Sequence, residues 1–469
     1  MKLRIKIAEK NNHEIIVLLL LVSQTFFLRK LTHQMKHTAY GFLRKFVLLT
    51  ILPLLFSCTA FNRTSRNASL RLTLENNGII NQHFYGFVLY DPVTGKYLYN
   101  KNGSKYFTPA SNTKVLTLAA TIEELPDSIP TFLKVDYHDK EIFIPVGDPT
   151  FLHQDFPRQN ALRKLKSNSG DTLFIGRTSQ PEIYGPGWAW DDYLYYFQPE
   201  RSDLPMYGNV VRTTLYGSKF EVQPDFFEGF VEIAGDQSYR ARNYNLFSIP
   251  EDMPDSVSRD IPFQHSSELV ELLLTDTLDQ PVVVLPVGGE YDIRDTIYNT
   301  STQEALRLMM TRSDNFLAEQ LLIVGQKLRG FSSIEDYIRF VKEVRFPAMD
   351  QELIWVDGSG LSRYNMVAPE SMISVLDLIW QQLSIEELKM LFPTGGVSGT
   401  LKDWYAGDPD PYLFAKTGTL RHNHNLSGFV ETESGRTLLF SFMNNHYATS
   451  STPVKKEMEK IMQFVRDNY

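Results

Sequence analysis

Ser111 and Lys114 stand three residues apart in Pro109-Ala110-Ser111-Asn112-Thr113-Lys114, and no other serine of the 469 residues has a lysine at that offset. A serine hydroxyl is a poor nucleophile until a neighbouring base accepts its proton. The apolar run that follows, Val115 to Ile122, reads as a buried helix with proline just before its first turn. Residues three apart share a helix face, which sets the Lys114 amine beside the Ser111 hydroxyl. A buried lysine next to another cation gives up its proton more easily, and it could then act as general base without any histidine. Taken alone, the same residues are better described as a serine capping a core helix and a lysine snorkelling to the surface.

Two later triplets shift that balance. Ser313-Asp314-Asn315 falls between Thr302–Met310 and Phe316–Ile323, both of which carry apolar residues at helical spacing. A serine and an amide in a short helix joint can point into one cleft, Ser313 to relay a proton to a leaving amine and Asn315 to hold a substrate backbone. The alternative is an ordinary cap. Lys416-Thr417-Gly418 lies in Leu413 to Leu420, which alternates like a strand. Lys416 is the candidate second cation, and with the Thr417 and Thr419 hydroxyls it would meet a substrate carboxylate. Gly418 would let a ligand approach the backbone closely. The N–H groups of Ser111 and Thr419 would form an oxyanion hole. Each triplet alone is weak, as a second Ser-x-Asn at Ser65-Arg66-Asn67 shows; the ordered set is specific.

Ser-x-x-Lys, Ser-Asp-Asn and Lys-Thr-Gly occur together in β-lactamases and penicillin-binding proteins. From about Phe84 onwards the chain resembles the low-molecular-mass penicillin-binding proteins that are D-alanyl-D-alanine carboxypeptidases and endopeptidases, with a large insertion after the nucleophile helix. Gly86 to Gly95, Gly147-Asp148-Pro149-Thr150, Tyr184 to Asp192 and Asp357 to Ser362 are similar to further segments of that family. The resemblance implies a serine-type D-Ala-D-Ala carboxypeptidase, with DD-endopeptidase activity as an extension. Peptidoglycan stem peptides would be its partners and β-lactams its covalent inhibitors, with no cofactor. The offset of 202 residues from Ser111 to Ser313 argues for an inserted domain and against a compact β-lactamase-type hydrolase, one rival reading. The other rival is a cell-wall-binding scaffold without activity, which the intact motifs oppose. Arg421-His422-Asn423-His424-Asn425 departs from the family pattern; its two histidines read as exposed residues on a turn, and no converging set of metal ligands is visible.

With 43% hydrophobic and 22% charged residues the composition is that of a globular protein, and 469 residues predict two or three domains. A net charge of −8 with no basic stripe excludes nucleic acid as a partner. The single cysteine, Cys58, ends an apolar run over 46–56 preceded by Arg44 and Lys45. That segment resembles a bacterial lipoprotein signal, which implies lipidation of Cys58 and a place on the periplasmic side of a membrane. A plain signal peptide or a membrane helix is the alternative, although the run is far shorter than the roughly 20 residues a span needs. Met35 is the simpler start for this signal, so residues 1–34 are expected to be missing from the mature chain.

These readings divide the chain into a targeting segment over 1–57 and a tether over 58–80. A catalytic domain follows in two pieces, 81–124 and 293–469, split by a strand-rich insertion over 125–292. The expected class is α+β: an antiparallel β-lactamase/transpeptidase-like sheet covered by helices. Val454, Met458, Ile461 and Val465 give the last helix a single apolar face. The aromatics Trp188, Trp190, Tyr193, Tyr195, Tyr196 and Phe197 read as core, with substrate contact as a weaker alternative.

Overall fold

The computed structural model describes residues 66–168, 170–178, 181–217, 219–289, 291–346 and 348–469. The targeting segment, Cys58 and the first part of the tether lie outside the described residues. Among those described, no helix is long and apolar enough to cross a membrane.

Strand Phe84–Asp91 shows how the fold is layered. Successive side chains of a strand point to opposite faces. Tyr85, Phe87 and Leu89 enter one core together with Val454, Met458, Ile461 and Val465 of helix Ser451–Asn468. Gly86 and Val88 face the other side, where a Cβ on Gly86 would meet Phe107 and Pro369. The strand pairs antiparallel with Lys96–Lys101 on one edge and Thr437–Asn445 on the other. Asn423–Glu431 and then Leu413–Leu420 complete a five-stranded sheet, with Leu413–Leu420 at its edge. The C-terminal strands thus join the N-terminal hairpin, and the predicted α+β class holds.

The second face carries the helices. Every residue of helix Thr113–Thr121 is buried, so it needs neighbours all round; Val115, Leu116, Leu118 and Ala119 share one core with residues of helices Thr302–Arg312, Asn315–Leu328 and Pro369–Gln382. Its polar residues stay satisfied in that apolar setting: Thr117 donates to the Gly358 carbonyl at 2.7 Å and Thr121 to the Thr117 carbonyl at 2.8 Å.

Between the nucleophile helix and Thr302 the chain builds a second sheet of five strands. It contains Ser128–Tyr137, Lys140–Pro145, Leu173–Arg177, Val282–Pro286 and Ile293–Ser301, flanked by two small three-stranded sheets. Ile293–Ser301 pairs with Ser128–Tyr137, so the inserted sheet runs to Ser301, past the residue 292 at which the sequence reading closed it. The charge chain Arg312–Asp155–Arg212–Asp260 fastens this region to helix Thr302–Arg312.

That helix stops at Ser313, whose φ of 60° and ψ of 38° place it in the left-handed region. Asp314 then restarts the chain as a helix: its carboxylate accepts the Leu317 N–H at 2.9 Å and caps Asn315–Leu328. Asp314→Ala is expected to cost about 1 kcal/mol of stability, whereas Asp314→Ser retains most of it; equal denaturation midpoints for wild type and Asp314→Ala would refute the cap.

Candidate active site

Ser111 sits in the one-turn 3-10 helix Ala110–Asn112 that opens into the nucleophile helix, and it is only partly buried. Lys114 follows one turn on and is fully buried. Its Nζ lies 3.1 Å from Ser111 Oγ, 2.6 Å from Asn315 Oδ1 and 2.7 Å from the Ser359 carbonyl. Asn315 is oriented from its other end, because Nδ2 donates to the Phe197 carbonyl at 2.8 Å. Burial brings the Lys114 amine down to about 8, against the opposing pull of Asp314, Glu319 and Asp357.

Lys416 is also fully buried, and its Nζ donates to Ser313 Oγ at 2.8 Å and to the Thr417 carbonyl at 2.8 Å. Burial, and after it the charge of Lys114, hold Lys416 well below its ordinary value. Burial is the first cause for both lysines, and the two amines repel each other when both are charged.

Strand Leu413–Leu420 forms the other wall. Leu413 accepts the Gly395 N–H at 2.8 Å and Ala415 donates to the Pro393 carbonyl at 3.0 Å, both away from the neighbouring strand. Backbone direction repeats every two residues, so the N–H groups of Thr417 and Thr419 share that outward edge. Gly418 has a different reason from the one expected. A Cβ there would meet the Pro109 carbonyl, Asn112 N at 2.8 Å and Asn112 Nδ2 at 2.9 Å. The glycine therefore admits the protein's own nucleophile turn, which Asn112 fixes by donating to the Lys416 carbonyl at 2.9 Å.

A family model for the D-Ala-D-Ala carboxypeptidase 3 (S13) family matches residues 66–226 and 300–469, which include Ser111, Lys114, Ser313, Asn315 and Lys416. The chain belongs to the S13 family. It is a serine-type peptidase, as the resemblance implied. Over 177 residues it is 32% identical to D-alanyl-D-alanine carboxypeptidase DacB of Haemophilus influenzae, a match spanning 35% of this chain and only 36% of that protein. The D-alanyl-D-alanine carboxypeptidase of Actinomadura is 24% identical over 421 residues, 77% of this chain and 78% of that one. The crystal structure of penicillin-binding protein 4 from H. influenzae shares the fold, with a TM-score of 0.65 and 20% identity over 85% of this chain and 99% of that one.

Several residues of this S13 peptidase's site escaped the sequence. Glu319 accepts Arg201 Nε at 3.0 Å in a buried ion pair, and its other oxygen accepts the Ser359 N–H at 2.7 Å. That bond fixes the Gly358–Ser359 peptide, next to the one whose carbonyl meets Lys114. Asp357 accepts Trp188 Nε1 at 2.9 Å, the Gly360 N–H at 2.9 Å and the Ser362 N–H at 2.7 Å. Two of the family-like segments therefore meet beneath the nucleophile. Gly147–Thr150 lies elsewhere, where burial pushes Asp148 up to about 6 despite hydrogen bonds from Thr131 and Thr150.

Two expectations fail. Trp190, Tyr195 and Tyr196 are exposed rather than core; Tyr195 stacks on Phe197, the residue that orients Asn315. His424 is neither exposed nor on a turn: it lies inside strand Asn423–Glu431 at 1% exposure, and only Arg421 and His422 form the turn. Among the described residues no group of three or more His, Cys, Asp or Glu side chains could hold a metal.

Gly418→Ala would drive a methyl group into the Pro109–Asn112 turn. A loss of roughly 1–3 kcal/mol is expected from that overpacking, read as a lower denaturation midpoint; an unchanged midpoint would show that the strand and the nucleophile turn are not packed this way.

Proposed function

We propose that this S13 peptidase removes the terminal D-alanine from D-Ala-D-Ala stem peptides of peptidoglycan through an acyl-enzyme on Ser111, and that D-Ala-to-diamino-acid cross-links are further substrates. The arrangement of oxygens around Lys114 carries this reading. A neutral amine has two N–H donors and one lone pair. Asn315 Oδ1 and the Ser359 carbonyl can only accept, so they take both donors at 2.6 and 2.7 Å. The lone pair is left for the Ser111 proton. Ser111 Oγ then attacks the carbonyl of the penultimate D-alanine, and the developing oxyanion is met by the N–H groups of Ser111 and Thr419.

Ser313 accepts from Lys416 at 2.8 Å, so its own proton is available to the departing amine. The proton gained by Lys114 restores Ser313 and balances the step. Lys416, Thr417, Gly418 and Thr419 form the wall that receives the terminal carboxylate, with the Thr417 and Thr419 side chains partly or fully open to the cleft. Water then cleaves the acyl-enzyme. A β-lactam would acylate the same serine and leave slowly, because its leaving group remains tethered.

We further propose that Cys58 carries a lipid that holds the enzyme on the periplasmic side of a bacterial membrane. The apolar run over 46–56 with its basic flank supports this, as does the lack of any other cysteine.

A soluble form beginning at Thr59 should gain the mass of benzylpenicillin, and Ser111→Ala should gain none. The rate of adduct formation should rise with pH through about 8, because only neutral Lys114 accepts a proton. A rate flat across that range would remove Lys114 as the base, and rapid loss of penicillin without an adduct would favour a β-lactamase. For the anchor, mass analysis of protein purified from membranes should find lipidated Cys58 as the first residue, and Cys58→Ala should move the enzyme to the soluble fraction. Residues 1–34 in the mature chain would overturn the assigned signal.

A further inference from the structure

His424 takes no part in the chemistry above, yet it is built into the substrate wall. It stands directly opposite Thr419 across the strand pair, and its Nδ1 lies 2.8 Å from Thr419 Oγ1. The ring is buried at 1% exposure while Thr419 opens to the cleft. Burial, with the charges of Lys455 and Lys416 nearby, takes the imidazole down to about 3, so it is neutral under working conditions.

A neutral imidazole donates from one nitrogen and accepts at the other, which leaves two arrangements of the bond to Thr419. If Thr419 donates to Nδ1, its one proton is spent inside the protein and only lone pairs face an incoming carboxylate. If Nδ1–H donates to Oγ1, the Thr419 proton is free to point at that carboxylate. The neighbouring Thr417 offers no substitute, since its hydroxyl already donates to Thr400 Oγ1 at 2.8 Å. Lys416 spends two of its three donors on Ser313 and on the Thr417 carbonyl.

We propose that His424 is a positioning residue that donates from Nδ1 to Thr419 Oγ1 and thereby aims the Thr419 proton at the terminal carboxylate of the acyl donor. The inference rests on the reading of Thr419 as a carboxylate contact. It makes His424 a determinant of specificity for acyl donors that end in a free carboxylate, with no effect on the bond-breaking groups themselves.

The test compares two acyl donors on the full chain: a diacyl-L-Lys-D-Ala-D-Ala tripeptide, and the same acyl group as an ethyl thioester, which has no carboxylate. His424→Leu and Thr419→Val should each lower kcat/KM for the tripeptide about tenfold, the size of one hydrogen bond to a charged group. Thioester turnover by His424→Leu should change less than about twofold on the same scale. His424→Asn places a donor where Nδ1 was and should restore most tripeptide activity. Equal losses on both donors would make His424 a packing residue and overturn the proposal, as would no loss on either. If His424→Leu fails to fold, His424→Phe, which keeps a ring but has no donor, must show the selective loss and His424→Asn must not. A wild type that turns over the thioester but releases no D-alanine would instead overturn the proposed function beneath the inference.

Discussion

A lysine amine taken wholly out of water gives up several kcal/mol of hydration if it stays charged, and Lys114 is in that position. Three oxygens within 3.1 Å compensate it, and they come from three separated parts of the chain: Ser111, Asn315 and Ser359. Holding those oxygens in place is a demand on the whole helical layer. Asn315 must begin a helix, so Ser313 takes a left-handed conformation and Asp314 caps the next turn. The Ser359 carbonyl must face inward, so Asp357 holds the Gly360 N–H of its peptide, Glu319 holds the Ser359 N–H of the peptide before it, and Arg201 neutralises Glu319. Gly360, with φ of 83°, sits where a Cβ would strike the Ala110 carbonyl.

The inserted region belongs to this machinery. Phe197 fixes the Asn315 amide, Arg201 pairs with Glu319, and Trp188 donates to Asp357. All three lie between the nucleophile helix and the second catalytic segment in sequence. Without Arg201 the Glu319 carboxylate would be a buried, uncompensated charge, a strongly destabilising state. An insertion that closes around Lys114 in this way has a physical reason to persist in an acyl-transfer enzyme that a passive cell-wall scaffold would lack.

Residue types and spacing picked out Ser111, both lysines and the helix joint that the structure brings together, because Ser-x-x-Lys, Ser-Asp-Asn and Lys-Thr-Gly each need particular side chains at fixed offsets. The stripe of the last helix was legible for the same reason. What stayed hidden was chemistry supplied by the backbone or by distant partners. The Ser359 carbonyl carries no residue signature, and nothing in sequence pairs Arg201 with Glu319. Gly418 was read as room for a ligand because a glycine cannot say whose backbone approaches it. His424 was placed on a turn because polar residues run from Arg421 to Asn425; yet a two-residue turn at Arg421 and His422, the latter with φ of 70°, frees the next three for the strand. Those three are buried polar groups, and each finds hydrogen bonds: Asn423 with His446, His424 with Thr419, and Asn425 with Thr108 and Pro109.

The contacts to Lys114 also explain how a buried amine can cycle between charge states. An amide oxygen and a peptide carbonyl stabilise an ammonium yet exact no large cost when it becomes neutral, whereas a carboxylate in direct contact would pin the charge in place. Asp314, Glu319 and Asp357 all act on Lys114, yet none accepts its hydrogen bond. Asp314 spends an oxygen on the Leu317 N–H, Glu319 on Arg201 and Ser359, and Asp357 on Trp188, Gly360 and Ser362. Their negative charge arrives at one remove, enough to keep the amine protonatable near neutrality while burial keeps it from being permanently protonated. An aspartate at position 315 would break this balance, since its carboxylate would touch the amine directly. Neutral acceptors in contact and carboxylates one step behind are what the proposed transfer of a proton from Ser111 to Lys114 and back requires.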